Sequence, residues 1–164
     1  MVLKTDGGWR MYVDYRRLNS VTMFDCFPLP KIDEALDAFS KATVFSSLDL
    51  AIAYYQVPVK LVDVDKIAFI TNVGLYKMVK MPFGLCNAPP TYQRLSGDLQ
   101  NLIGRICLAY LDNVIVFSKK RSNYIADLRA VLDKIRFAGL KLKPAKCLLF
   151  CDQVLYLGHL ISAA

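Results

Sequence analysis

Two short apolar runs, Ile106 to Ala109 and Val114 to Phe117, flank the stretch Tyr110-Leu111-Asp112-Asn113. Each run is β-branched or aromatic in bias and too brief for a helix of ordinary length. The pair therefore reads as a β-hairpin with a polar tip. Taken alone, Asp112 and Asn113 are ordinary turn formers. A turn that carries Asp112 also pushes its carboxylate clear of the sheet, where it could bind a metal. A second strand-like run, Val44 to Leu50, sets Asp49 among apolar neighbours. An acid there is costly unless it is paired, hydrogen-bonded or bound to a cation. Acids projected from neighbouring strands could hold a pair of divalent cations, as in two-metal active sites. Spacing alone does not establish that these strands are neighbours.

The rest of the chain limits the alternatives. With 164 residues, 55% of them apolar, it is long enough for one domain with a real core. No apolar run has the length of a bilayer span, and the N-terminus carries no signal-peptide pattern, so no membrane role is expected. Lys plus Arg number 21 against 14 Asp plus Glu, a net +7 that suits a polyanionic partner. Five cysteines without a Cys-x-x-Cys pair, and His159 as the single histidine, make no zinc pattern.

Along the chain, Asp6-Gly7-Gly8 signals a turn, and Met11, Val13 and Tyr15 alternate, predicting an N-terminal hairpin. Ile32, Leu36 and Phe39 predict a scaffold helix over 31–39. Residues 66–71 and 74–79 read as two strands. Asn87 is a candidate N-cap, and Tyr92, Leu95, Leu99 and Leu102 extend a helix to Gly104, with Gln93 and Arg94 flanking its apolar stripe. Leu128, Val131, Leu132, Ile135 and Ala138 mark a second amphipathic helix ended by Gly139, and a final hairpin follows Lys141, Lys143 and Lys146.

Ordered motifs carry a family resemblance. They are Trp9 to Asn19 (WRMYVDYRRLN), Phe27-Pro28-Leu29-Pro30, Ser47-Leu48-Asp49-Leu50 with Tyr54-Tyr55-Gln56-Val57, and Met81 to Pro89 (MPFGLCNAP). The hairpin follows, then Gly139 to Cys147 (GLKLKPAKC) and Tyr156-Leu157-Gly158-His159. Through nearly its whole length the chain resembles the reverse transcriptase domain of gypsy-type long-terminal-repeat retrotransposon Pol polyproteins.

The resemblance implies an α/β (α+β) fold with an antiparallel palm sheet backed by helices. It assigns the fingers to about 1–23 and 57–87, and the palm to about 24–56 and 88–164. Thumb, RNase H, protease and integrase regions are not covered, so the chain reads as a piece of a longer polyprotein. The implied activity is RNA-directed DNA polymerisation, with template, primer and deoxynucleoside triphosphates as partners and two Mg²⁺ ions, or Mn²⁺ in their place, on Asp49 and Asp112. The family's hairpin carries two successive aspartates, and here the second is Asn113, which puts full activity in question. Nucleotide contacts fall on Lys4, Arg10, Leu50, Tyr54 as the gate against the sugar, Pro82, Phe83 and Gly84. Tyr55 is assigned to packing, and Leu157, Gly158 and His159 to the primer grip. The alternative is a weak or inactive nucleic-acid-binding remnant. Location follows the family: cytoplasm, intracellular virus-like particles, or nucleus.

Overall fold

Apolar side chains on both faces of a strand demand cover on both sides, and the central sheet of this protein has it. The computed structural model describes residues 2–3, 7–27, 37–95, 99 and 101–162, with side chains left aside at Leu3, Arg10 and Leu95. Its central sheet is four-stranded and antiparallel. The strands are β3 (Val44–Asp49), β6 (Cys107–Tyr110), β7 (Asn113–Ser118) and β8 (Leu148–Cys151), in the order β6-β7-β3-β8. Because side chains alternate along each strand, one face presents Leu48, Cys107, Ala109, Val114 and Val116. This face packs on Tyr92 of α3 (Ala88–Leu95) and on Val131 and Ile135 of α4 (Tyr124–Phe137).

The opposite face presents Phe45, Leu108, Ile115 and Phe117 to Phe39, Ala42, Val154 and Tyr156. Val154 and Tyr156 belong to β9 (Gln153–Tyr156), which forms a hairpin with β10 (His159–Ser162). Phe39 anchors this layer through edge contacts with Phe117 at 5.2 Å and Tyr156 at 5.5 Å between ring centroids. Each such buried aromatic contributes about 1.5–3 kcal/mol by burial.

The hairpin β6–β7 forms as expected, but its tip differs from the sequence reading. The two-residue loop is Leu111-Asp112, while Asn113 is already in β7, opposite Tyr110 on one side and Asp49 on the other. Helix α4 ends as its sequence predicts. Gly139, at φ 68°, donates its N–H to Arg136 O (3.0 Å), and Leu140 N–H reaches Ile135 O (3.0 Å), a Schellman cap. The cap turns the chain back along β3, where Ala51 N–H bonds Lys141 O and Lys143 N–H bonds Asp49 O, both at 2.8 Å.

Other expectations are corrected. Alternation at Met11, Val13 and Tyr15 does not make a strand: pairing is limited to β1 (Val2–Leu3) with β2 (Trp9–Arg10). Tyr15 is buried instead by a long-range bond, its hydroxyl donating to Ile67 O at 3.0 Å. A short helix α1 (Arg16–Val21) and one-turn α2 (Leu61–Val64) appear where the sequence is too short to show a period. The pair read over 66–79 is shorter, β4 (Phe69–Thr71) with β5 (Gly74–Tyr76). Asn87 precedes α3, but its side chain does not cap it. Its amide accepts Asp25 N–H (3.0 Å) and donates to Met23 O (2.8 Å), which pins another segment. The scaffold helix over 31–39 lies outside the described residues up to Leu36, as do 96–98 and 100 of the long helix expected to reach Gly104.

Candidate active site

Asp49 stands where β3 leaves the sheet, on the face shared with Ser47 and Asn113, and its side chain is about a third exposed (31%). Asp112 is the second residue of the hairpin loop and is exposed. The loop is fastened from three directions. Tyr110 and Asn113 close its base, and Leu50 N–H donates to Asp112 O at 2.8 Å. On the outer edge of β6, Leu111 N–H donates to Gln93 Oε1 at 3.0 Å. Leu111 itself adopts φ 50°, a left-handed conformation that a residue with a Cβ occupies only when its surroundings impose it.

Both acids line one cleft of ≈ 320 Å³, together with Tyr55, Phe83, Lys143 and Lys146. Trp9 and Met11 close it from the N-terminal segment. Burial raises the Asp49 carboxyl above the ordinary carboxylate range, and the charge of Asp112 adds to that rise. Lys146 and Lys143 pull the other way, the Lys146 ammonium lying 3.9 Å from Asp49 Oδ2. Two acids facing each other across a cleft form a site that gains from a cation.

The donor set is oxygen from carboxylates, which suits a hard divalent ion such as Mg²⁺ or Mn²⁺. Among the described residues no group of three or more His, Cys, Asp and Glu gathers anywhere, so two acids are what this cleft offers. Beside them, Tyr92 is 1% exposed and its hydroxyl has no hydrogen-bond partner among the described residues. Burial, with the charges of Asp112 and Asp49, pushes that phenol well up, so it stays a neutral donor next to the acids. The residues present therefore fit a divalent cation held by Asp49 and Asp112.

Asn113 sits beside this pair without joining it. Its Oδ1 accepts the Ser47 hydroxyl at 3.2 Å. Leu50 is buried and acts through its backbone. Pro82 is fully buried, and Phe83 lines the cleft. Gly84, at φ 97°, lets two segments approach: a Cβ there would meet Val13 O at 3.3 Å. Tyr54 packs edge-on against Phe83 (5.1 Å) and Tyr92 (5.6 Å). It is Tyr55, assigned to packing by the sequence reading, that lines the cleft. Leu157 and Gly158 form the β9–β10 turn with φ 49° and 87°, and His159 is exposed at the start of β10; none of the three lines the acid cleft. Arg10 is described in backbone only, next to Trp9, and Lys4 lies outside the described residues.

Some residues of the site carry no local signal. Lys143 and Lys146 reach it through the helix cap and the turn at Pro144–Lys146. Gln93, read as flanking the apolar stripe, is buried under the hairpin instead. Arg94 is engaged too, pairing with Asp25 at 2.7 Å and lying over the Phe27 ring.

The family model described as "Reverse transcriptase (RNA-dependent DNA polymerase)" matches residues 2–161. The Retrovirus-related Pol polyprotein from transposon 297 of Drosophila melanogaster is 37% identical over 155 residues, covering 94% of this chain and 15% of that polyprotein. The one from transposon opus, also of Drosophila melanogaster, is 38% identical over 156 residues, 94% of this chain and 16% of that one. The Transposon Tf2-7 polyprotein of Schizosaccharomyces pombe is 33% identical over 165 residues, 98% of this chain and 12% of that one. The chain thus spans less than a fifth of each of these relatives. Among solved structures, the foamy viral protease-reverse transcriptase in complex with RNA/DNA hybrid superposes with a TM-score of 0.87 at 23% identity, covering 99% of this chain and 22% of that one. The same viral protein with double-stranded DNA gives 0.88 at 23% identity, covering 99% and 28%. At that identity the likeness is one of fold.

Proposed function

Because this chain belongs to the reverse transcriptase (RNA-dependent DNA polymerase) family, we propose that it carries the fingers and palm of a retrotransposon Pol polyprotein and extends a primer on an RNA or DNA template. The fingers would be 1–23 and 57–87, and the palm the remainder. The observation that carries the reading is the meeting of Asp49, at the end of β3, and Asp112, in the β6–β7 loop, in one cleft walled by Phe83 and Tyr55 and flanked by two lysines.

Asp49 and Asp112 would hold two Mg²⁺ ions, or Mn²⁺ in their place, which would supply Lewis acidity toward the primer 3′-hydroxyl and the triphosphate. The chain's own residues do the rest. Lys143 and Lys146 place positive charge beside the acids, where triphosphate oxygens would bring negative charge. Arg10, next to Trp9 at the cleft wall, is assigned to the same work, with Lys4. Tyr54, held by Phe83 and Tyr92, is the gate against a 2′-hydroxyl, the group that separates ribonucleotides from deoxynucleotides. The β9–β10 turn at Leu157, Gly158 and His159 would hold the primer end. The place of action would be the cytoplasm, intracellular particles or the nucleus; among the described residues no helix is long and apolar enough to cross a membrane.

The test is primer extension by the purified chain on an RNA template, in Mg²⁺ and in Mn²⁺, with Asp49→Asn and Asp112→Asn as blanks. Extension that survives either change would overturn the assignment. One observation favours a second reading, a nucleic-acid binder with little catalysis: the amide of Asn113 is turned to Ser47 and adds no charge to the acid pair. Salt-sensitive template–primer binding without extension in either metal would establish it.

A further inference from the structure

The outer edge of β6 is a sheet edge, and edge strands present unpaired N–H and C=O groups. At this edge a single side chain fills the place of a neighbouring peptide unit. Gln93 of α3 is buried, 5% exposed, and its Nε2 donates to Ala109 O at 3.2 Å while its Oε1 accepts Leu111 N–H at 3.0 Å. A carboxamide offers a donor and an acceptor side by side at any ordinary pH. The second of these bonds lands on the residue at φ 50°, immediately before Asp112.

We propose that Gln93 is a positioning residue for the cation site: its carboxamide holds the Leu111-Asp112 turn in its left-handed form and so fixes the Asp112 carboxylate opposite Asp49. This rests on the two-acid reading above and goes beyond it by naming what sets the distance between the acids. Asp112 is held by the Leu50 N–H just past β3, and Leu111 before it is held from α3 by Gln93; Gln93 is the one side chain in that set among the described residues. Without it, only the hairpin closure at Tyr110 and Asn113 keeps Leu111 at positive φ, and the loosened loop no longer fixes the direction of the residue that follows. The second acid would then be present but misplaced.

The experiment uses the purified chain and Gln93→Met, which keeps length and burial but offers neither bond. The first readout is amide hydrogen exchange. Protection of Leu111 should fall about tenfold, the equivalent of one net hydrogen bond, while the amides of Val114 to Phe117 and Val44 to Leu48 keep theirs. The second is Mn²⁺ titrated alone, followed by water-proton relaxation with Asp112→Asn as the blank; Asp112-dependent affinity should drop at least several-fold. Gln93→Glu, which keeps the acceptor for Leu111, should retain most of the Leu111 protection. Unchanged Leu111 exchange in Gln93→Met would overturn the proposal. So would a loss of protection spread evenly over β3 and β7, which would make Gln93 a general packing residue, or an Mn²⁺ affinity that does not move. If the unmodified chain shows no Asp112-dependent Mn²⁺ binding, the two-cation reading fails instead, and Leu111 exchange still decides whether Gln93 holds the turn.

Discussion

Replacing Asn113 with Asp should move metal-free stability and catalysis in opposite directions. Asn113 and Asp49 are direct cross-strand partners on one face of the sheet, a geometry that sets Cβ atoms about 4.5–5.5 Å apart. Two carboxylates about 5 Å apart repel by about 3 kcal/mol at an effective dielectric of ~20. Lys146 offsets part of this, but it is over half exposed (54%) and its 3.9 Å contact with Asp49 is screened by solvent. A net cost of about 1–3 kcal/mol without metal is therefore expected. In EDTA that lowers the melting temperature by roughly 2–4 °C per kcal/mol. The Ser47 hydroxyl, now 3.2 Å from the Asn113 amide oxygen, would keep donating to the new carboxylate and hold it in place.

Bound cations reverse the sign. A third negative charge beside Asp49 and Asp112 offsets the mutual repulsion of two divalent ions, so Mn²⁺ affinity should rise. Single-turnover primer extension in Mg²⁺ should increase by about 10²–10³, the scale of one well-placed electrostatic group in an active site. Template–primer affinity should stay nearly constant, because Asn113 is not a phosphate contact in this reading. The reasoning is refuted if Asn113→Asp melts no lower than the parent in EDTA, or if extension by an already active chain does not change.

Asp49→Asn should abolish extension yet stabilise the metal-free chain. Burial and Asp112 raise the Asp49 pKa, so below that raised value, and down to about 4, the folded chain holds a proton the unfolded one has released. Parent stability therefore falls as pH rises through this window, and the variant, compared by denaturant melts across pH, should lack that slope; equal slopes would refute it. Tyr54→Val should open the space held by its contacts with Phe83 and Tyr92 and raise ribonucleotide use relative to deoxynucleotide use in extension assays; an unchanged ratio would leave Tyr54 as packing and turn attention to Tyr55. Tyr92→Phe removes a buried hydroxyl with no partner among the described residues, so stability should hold or rise by about 1–2 kcal/mol. A clear loss in chemical denaturation would mean that the hydroxyl is bonded in solution.

Periodic signals were legible because they are local. The apolar runs of β6 and β7, the stripe of α4 and its glycine stop each repeat within one element, and the structure has them at nearly the expected positions. The two acids were legible as well, since an acid inside a strand-like run is costly wherever the run ends up. Local reading failed where a side chain's partner is far along the chain. The alternation of Met11, Val13 and Tyr15 looked like a strand, yet the hydroxyl of Tyr15 is spent on Ile67. Tyr54 and Tyr55 sit in a short 3-10 turn, Ala53–Gln56, where neither strand nor helix period says which ring faces the cleft.

The clearest case is a set of carboxamides, each of which donates and accepts at the backbone of a distant segment. Asn19 bonds Gly84 O and Cys86 N–H; Asn87 bonds Met23 O and Asp25 N–H. Gln56 bonds Lys141 O at 3.0 Å and Lys141 N–H at 2.6 Å, and Gln93 bonds Ala109 O and Leu111 N–H. In sequence each reads as a cap, a turn former or a solvated polar residue. In the structure they tie segments distant in sequence to one another around the acid cleft. Where such an amide is buried, as Gln93 is, it is expensive to misplace, because an unmet backbone partner costs about 1–3 kcal/mol. The cleft's walls therefore depend on these few bonds as well as on hydrophobic packing, and that is why its acids could be named from the sequence while its shape could not.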